Sequence, residues 1–440
     1  SILLLKIDDM KRFFSFFYDA ILFLLLLLLL PKVIWGYFFY GKYRKSFLSR
    51  LCPKNLVLKR TPTQKVIWLH SISLGETKAL STLVPHIRKA NPDAFILIST
   101  VTETGQDEAK KGIVDADTYC YLPFDFSWLI RGFVQKIKPD CFILMESDYW
   151  YNLMTEIKKI GAPIILVNGK ISQKSLKRYL YCKTFSHKLF HTIDLFCLQD
   201  ENYYHRFLQL GIDPRIMVVT GNLKFDIPNR EVSEREQQIF KQDLGIHIDN
   251  LVVTIGSTHE KEEEYLLGAI RPLWKKFPSL KIILVPRHPE RFKKVEKLLK
   301  ELQFSYFALS NKNIKRGGES IILIDQMGIL PRCYQIADLS IVGGSFVKGI
   351  GGHDVFEPAK MGIPVIFGPH MEQQLDLSRL VLQSGAGKQV ALGELSSLLE
   401  KYLLQSDLRK EDGAKGKALA SAVIGSSYRT WERIESFLRK

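Results

Sequence analysis

The stretch GGSFVKGIGGHDVFEPAKMGIPVIFGPH, Gly343 to His370, decides how this chain is read. An apolar run, Leu339 to Val342, feeds its glycine-rich loop, and a second apolar run, Ile363 to Phe367, follows the Asp354–Ala359 segment. Strand, glycine-rich loop, short helix, strand is the order of a nucleotide-binding turn in an open α/β sheet. Glycines let the backbone approach a phosphate, and the helix N-terminus supplies N–H donors and partial positive charge. Asp354 and Glu357 are three residues apart, so they share one face of the first helical turn, where a carboxylate can accept both ribose hydroxyls. The same letters also describe a plain surface loop followed by an amphipathic helix, so the surrounding chain has to decide.

Upstream the grammar repeats. Leu251–Ile255 runs into Gly256-Ser257-Thr258-His259-Glu260, Lys281–Val285 into Pro286-Arg287-His288, and Ile321–Ile324 into Asp325–Leu330. Arg287 and His288 suit a phosphate or a sugar-acid carboxylate, or else are ordinary charges at a helix start. Backbone amides at Met327, Gly328 and Ile329 can face a base or phosphate. A polar stretch, Ile227 to Asn250, reads as the boundary to a first half of the same kind. There Val66–Leu69 leads to His70 and then Glu76, Cys141–Met145 delivers Glu146, Pro163–Val167 ends at Asn168-Gly169-Lys170, and Met217–Val219 precedes Thr220–Asp226. Open α/β sheets place their chemistry at the carboxyl ends of strands. Glu76 there is either a first-turn acid that stabilises its helix or a general base aimed at a substrate. Lys170 to His191 mixes cations with apolar residues, and fits either anionic lipid and substrate phosphates or a solvated helix face.

The chain has 440 residues, 46% apolar and 25% charged, which is globular rather than disordered. Its net charge of +16 asks for an anionic partner: nucleic acid, acidic headgroups or a phosphorylated substrate. No nucleic-acid module is recognisable, so a nucleic-acid partner is not expected. Six scattered cysteines with no C-x-x-C read as buried free thiols in a reducing compartment. Near the start, Ala20–Leu30 is an unbroken apolar run extended by aromatic flanks, with Lys42, Arg44, Lys45, Arg50, Lys54, Lys59 and Arg60 following and only Lys6, Lys11 and Arg12 preceding. That reads as a retained single-pass anchor with the C-terminal bulk in the cytoplasm, Trp35, Tyr37, Tyr40 and Tyr43 lying at the interface. Met10-Lys11-Arg12 reads as a more ordinary start for such an anchor, which makes residues 1–9 an upstream extension.

The motifs go further. HSISLGET at 70–77, ILMESDYW at 143–150, TGNLKFD at 220–226, GSTHEKEE at 256–263, LVPRHPERF at 284–292 and VGGSFVKGIGGHDVFEPA at 342–359 resemble, in matching order, those of the Kdo transferases. The resemblance covers roughly residues 15–425 and implies a GT-B fold, two Rossmann-like doubly wound parallel-sheet domains facing a cleft, behind an N-terminal membrane-anchor helix. The expected divisions are 1–45 for the anchor and basic flank, 46–227 for an acceptor domain, 228–250 for a linker, 251–425 for a CMP-sugar donor domain and 426–440 for a terminal helix. The family implies transfer of Kdo from CMP-Kdo to a lipid A precursor, with inversion, at the inner membrane. On the matching positions Glu76 is the general base, and Glu146 and Lys224 stabilise the transition state. Arg287 and His288, Met327 to Ile329, and Asp354, Val355, Phe356 and Glu357 fall on CMP-contacting turns. CMP leaves as a single phosphate, so positive side chains and amides can carry its charge and no metal cofactor is expected. The chain departs from the family at Ser147–Tyr151, where Thr-Glu-Leu-Trp-Pro is common, and at Asp354, where Asn is usual. The competing readings are a UDP-sugar transferase or epimerase of the same fold, and a membrane-tethered basic binding protein.

Overall fold

The computed structural model describes residues 2–40, 46–52, 56–228, 232–311 and 318–438. Lys42, Tyr43, Arg44, Lys45 and Lys54 of the basic flank lie outside the described residues, as do the side chains of Lys6, Lys11, Arg12 and Tyr40. The chain divides into two compact units, Ser1–Ile227 with Val423–Lys440, and Pro228–Ala422.

In the first unit, seven strands form one sheet: β1 (Val66–His70), β2 (Phe95–Thr100), β3 (Thr118–Tyr121), β4 (Cys141–Met145), β5 (Ile164–Gly169), β6 (Leu195–Leu198) and β7 (Met217–Val219). Their order is β3-β2-β1-β4-β5-β6-β7 and every pairing is parallel. The central strands are largely apolar and buried, as in a sheet covered by helices on both faces. Alternate residues therefore serve two cores: Trp68, Leu97, Phe142, Leu144 and Leu166 pack on one side, Ile67, Ile96, Ile143, Ile165 and Val167 on the other. The chain winds outward from β1 to β3 and then jumps back to β4, so the carboxyl ends of β1 and β4 border the crevice where such sheets bind ligands.

The second unit repeats the plan with β8 (Val252–Thr258), β9 (Lys281–Pro286), β10 (Tyr306–Ala308), β11 (Ile321–Leu323), β12 (Leu339–Val342), β13 (Val365–Phe367) and β14 (Gly387–Gln389). The order is β10-β11-β9-β8-β12-β13-β14, again all parallel, with the switch point between β8 and β12. The glycine-rich stretch that opened the reading follows β12, on that switch point.

The structure adds detail to four stretches of the chain. The 228–250 stretch is not a bare linker. Ser233 and Glu236 form a capping box that starts the helix Glu234–Asp243, and Phe240, Leu244 and Ile246 enter the second unit's core beside Val252 and Ile283. Few apolar residues among many charges had hidden that face. The C-terminal helix Ser426–Leu438 belongs to the first unit, where Trp431, Ile434 and Leu438 pack with Leu223 and Cys197. Of the six thiols, all free, Cys141, Cys197 and Cys333 are buried, Cys120 is half-buried, and Cys52 and Cys182 are exposed. Cys182 sits where two short helices, Gln173–Tyr181 and Lys183–Phe190, meet within the Lys170–His191 stretch.

Candidate active site

At the carboxyl end of β1 the helix Leu74–Ser81 begins with Ser73 as its N-cap. Glu76 lies in the first turn and folds back: its carboxylate accepts from the Ile72 N–H at 2.8 Å and from the Ser73 hydroxyl at 2.9 Å. This capping geometry fixes the carboxylate at the switch point.

Glu146 is the first residue after β4. It is buried, with 3% of its surface exposed, and its φ is 53°, a left-handed conformation that side-chain-bearing residues adopt at a cost of about 1–3 kcal/mol. Two ammonium groups meet its carboxylate: Lys224 at 2.7 Å, and Lys170 on the other oxygen. Burial alone would raise its pKa, but Lys224 and Lys170 outweigh burial and hold it below the usual carboxylate range. Lys224 comes from the short turn Leu223–Asp226 after β7, and that turn is pinned from two sides. Asn168, also left-handed at φ 54°, donates to Glu146 at 3.2 Å and accepts from the Leu223 N–H at 2.9 Å. Asp226 accepts from the Gly425 N–H at 2.8 Å and from the Ser427 N–H at 2.6 Å, which ties the turn to the C-terminal helix.

The structure thus brings Glu146 and Lys224 into contact. It adds Lys170 and Asn168, which the sequence had offered only as a strand end and part of a basic stretch. Asn at the end of a buried strand, next to Gly, is the signal that could have found the left-handed clamp.

Asp148 lies in the Ser147–Tyr151 departure from the family. It is 9% exposed and buried close enough to Glu76 and Glu146 to feel both of their charges. Burial first, then the Glu76 and Glu146 charges, push its pKa up to about 10 against the opposing pull of Lys170, so it is a neutral acid at pH 7. The unfolded chain releases that proton near the ordinary value of 3.8, so Asp148 favours the fold at low pH and this contribution declines as pH rises toward about 10. Asp148→Asn keeps a donor and loses the titration. Its melting temperature is expected to fall less than wild type's between about pH 6 and pH 9. Parallel melting curves for the two proteins would remove the neutral-acid assignment.

In the second unit three histidines converge from three strand ends. His259 follows β8, His288 follows β9, and His353 closes the glycine-rich loop after β12. The His259 and His353 rings stack, and their Nε2 atoms are 2.8 Å apart, so one ring donates and the other accepts. The His288 ring stands edge-on to His259 at 5.2 Å. Burial first, then the neighbouring His259, Arg287 and His288, lower the His353 pKa to about 4, so the stacked rings share one proton as a neutral pair. Gly344 has φ 69°, and a Cβ there would stand 2.8 Å from the His353 ring, so only glycine fits. The loop is fixed from below by Glu262, whose carboxylate accepts from Gly344 N–H at 2.7 Å, Phe346 N–H at 2.9 Å and His259 N–H at 2.9 Å. Neighbouring Glu263 is clamped by both terminal nitrogens of Arg291, at 2.6 and 2.9 Å. Both acids lie in the GSTHEKEE motif.

Asp354 accepts from the N–H groups of Phe356 (2.8 Å) and Glu357 (3.1 Å), capping the short helix Phe356–Lys360. An Asn oxygen would make the same bonds, which explains how the departure at 354 is tolerated. Val355 and Phe356 are buried, and Glu357 is half-buried on that helix. Arg287 and His288 are exposed just beyond β9. Met327 is exposed, Gly328 has φ 82°, and Ile329 leads into the helix Leu330–Gln335, where Tyr334 lies within the electrostatic reach of Glu357 and Asp354. The predicted donor-side residues therefore sit on strand ends at one edge of a single sheet.

A family model described as 3-deoxy-D-manno-octulosonic-acid transferase (kdotransferase) matches residues 45–227. A 3-deoxy-D-manno-octulosonic acid transferase from Chlamydophila psittaci is 34% identical over 427 residues, covering 96% of each chain. The chain belongs to the Kdo transferase family. The transferase from Haemophilus influenzae is 30% identical over 86% of this chain and 88% of its own. Among solved structures, the UDP-GlcNAc 2-epimerase from Neisseria meningitidis bound to UDP-GlcNAc superimposes with a TM-score of 0.58 at 14% identity, over 83% of this chain and 99% of its own. A glycosyltransferase from Rickettsia africae gives 0.57 at 15% identity, over 85% and 98%. At such identities these two carry the fold alone, the GT-B type. As a member of its family, this transferase is a glycosyltransferase that transfers Kdo in lipopolysaccharide synthesis.

Proposed function

We propose that the chain moves Kdo from CMP-Kdo to a lipid A precursor, inverting the anomeric carbon, with its two units on the cytoplasmic side of the inner membrane. The observation that carries this is the Glu76–Asp148 and Glu146–Lys170–Lys224 constellation at the switch point of the first sheet, in a chain of this family. The acceptor hydroxyl attacks the anomeric carbon, the bond from that carbon to the CMP phosphate oxygen breaks, and the hydroxyl proton passes to Glu76. Lys170 and Lys224 are held around Glu146 and supply net positive charge where negative charge develops. CMP departs carrying its phosphate charge, met on the donor side by Arg287 and the amides of Met327–Ile329, while Glu357 accepts from the ribose. The expected discriminating result is CMP release that requires both CMP-Kdo and a lipid A precursor. Turnover of a UDP-sugar instead would favour the epimerase or UDP-transferase alternative.

Two further results are expected. Because fixed cations do the work, chelation by EDTA should leave the transfer rate unchanged, and a rate restored only by added Mg²⁺ would contradict metal independence. Glu357→Ala should weaken CMP binding by about 1.5–3 kcal/mol, the worth of a hydrogen bond to a charged group. Unchanged CMP affinity in calorimetry for both Glu357→Ala and Arg287→Ala would move the donor site elsewhere.

A further inference from the structure

The apolar N-terminal helix Ile2–Tyr40 is tied to the first unit midway along its length, and the chain just past its end is tied there as well. Midway along it, the Asp19 carboxylate accepts from the Ser127 N–H at 3.0 Å, the Ser127 hydroxyl at 2.6 Å and the Asn152 amide at 2.8 Å. The Tyr18 ring packs 5.5 Å from Tyr151, and the Lys188 ammonium stands 3.5 Å over Phe14. Past its end, the Ser46 N–H donates to Glu103 at 3.1 Å, and Arg50 donates to the Leu122 carbonyl at 2.9 Å while accepting from the Phe124 N–H at 3.3 Å. Asp19 and Arg50 therefore hold the same short segment of the first unit, residues 122–127. Between them the helix presents its apolar side chains outward: Phe23, Leu24, Leu28, Trp35 and Phe38 are all exposed.

Chain length then limits where the helix can go. From Asp19 to Tyr40 the helix advances about 31 Å at 1.5 Å per residue, which matches a bilayer core of about 30 Å. From Tyr40 to Ser46 the chain can return at most about 20 Å, even fully extended. If the helix crossed the membrane from Asp19, Ser46 would stop roughly 10 Å short of the face it started from. Yet Ser46 is bonded to the same unit as Asp19. A crossing would also sink the polar surface beside Asp19 into hydrocarbon, including Arg131 and Lys159, which line a pocket there with Phe16, Phe23 and Trp128.

We infer that the helix is a monotopic insert, entering and leaving the bilayer through the same cytoplasmic leaflet, rather than the single crossing its composition suggests. The inference rests on the membrane attachment proposed above. Its apolar surface lies in that leaflet, while exposed Trp128 and the cations Arg131 and Lys159 meet the anionic headgroups. Pro31 removes one backbone hydrogen bond mid-helix, which suits a bent, one-sided insertion. Asn152, which Asp19 grips, begins the helix that follows Glu146–Asp148, so the same bonds set the acceptor-side residues at a fixed height above the leaflet.

The test uses the full chain with an epitope tag ahead of Ser1, expressed in a Gram-negative host. Spheroplasts are treated with protease before and after lysis. A monotopic helix keeps the tag inside, so at least nine-tenths of it should survive in intact spheroplasts and be lost on lysis, with the protein in the membrane fraction. Loss of the tag from intact spheroplasts, with the protein still membrane-bound, would mean a true crossing and overturn the inference alone. Recovery of the protein in the soluble fraction would overturn the attachment on which it rests.

Discussion

Glu76→Gln is expected to lose most transfer, about 10²–10⁴-fold, while keeping its fold and its affinity for CMP. An alcohol is a poor nucleophile, so removal of its proton during attack governs the rate, and glutamine cannot take that proton. The carboxylate also accepts from Ile72 and Ser73, and that role is smaller. Glutamine retains one acceptor oxygen for these donors, so the melting temperature should shift by the equivalent of about 1 kcal/mol or less. Rate and melting measured on one preparation separate the two roles. Near-normal transfer would leave Glu76 as a cap only.

Removal of residues 423–440 is expected to unfold the first unit rather than merely trim it. Trp431, Ile434 and Leu438 are buried there, and losing three such side chains forfeits about 5–9 kcal/mol. That is comparable to the whole stability of many domains, about 5–15 kcal/mol. The truncation also frees Asp226 from Gly425 and Ser427, and with it the turn that carries Lys224. The milder Asp226→Ala should keep the fold and lower the transfer rate while CMP affinity stays unchanged, because only the placement of Lys224 suffers. A truncated protein with wild-type melting would refute the packing argument.

Much of this site was legible because parallel strands announce their ends. Each buried run gives way to a polar residue where chemistry belongs, and Glu146, Asn168, Arg287 and the glycine-rich loop all stand at such a boundary. What was hidden is the support, which joins residues far apart in the chain. Asp226 holds a helix some 200 positions away, and Glu262 holds the loop at Gly344 and Phe346, more than 80 positions on. No local period encodes such pairs. Asp19 shows the limit most plainly. In the sequence it is an interruption in an apolar run. In the structure it is the buried acid that fastens the helix to Ser127 and Asn152. Asp148 likewise looked like a substitution, and its proton is set only by burial beside two other acids.

The central claim is that this chain joins Kdo from CMP-Kdo to a lipid A precursor. Mass spectrometry of the lipid recovered after incubating the purified full chain with both substrates tests it most directly. The expected product is the precursor heavier by one or more whole Kdo units, formed with a matching amount of CMP and absent with Glu76→Gln. A lipid of unchanged mass, with CMP-Kdo intact and the protein folded, would contradict the account.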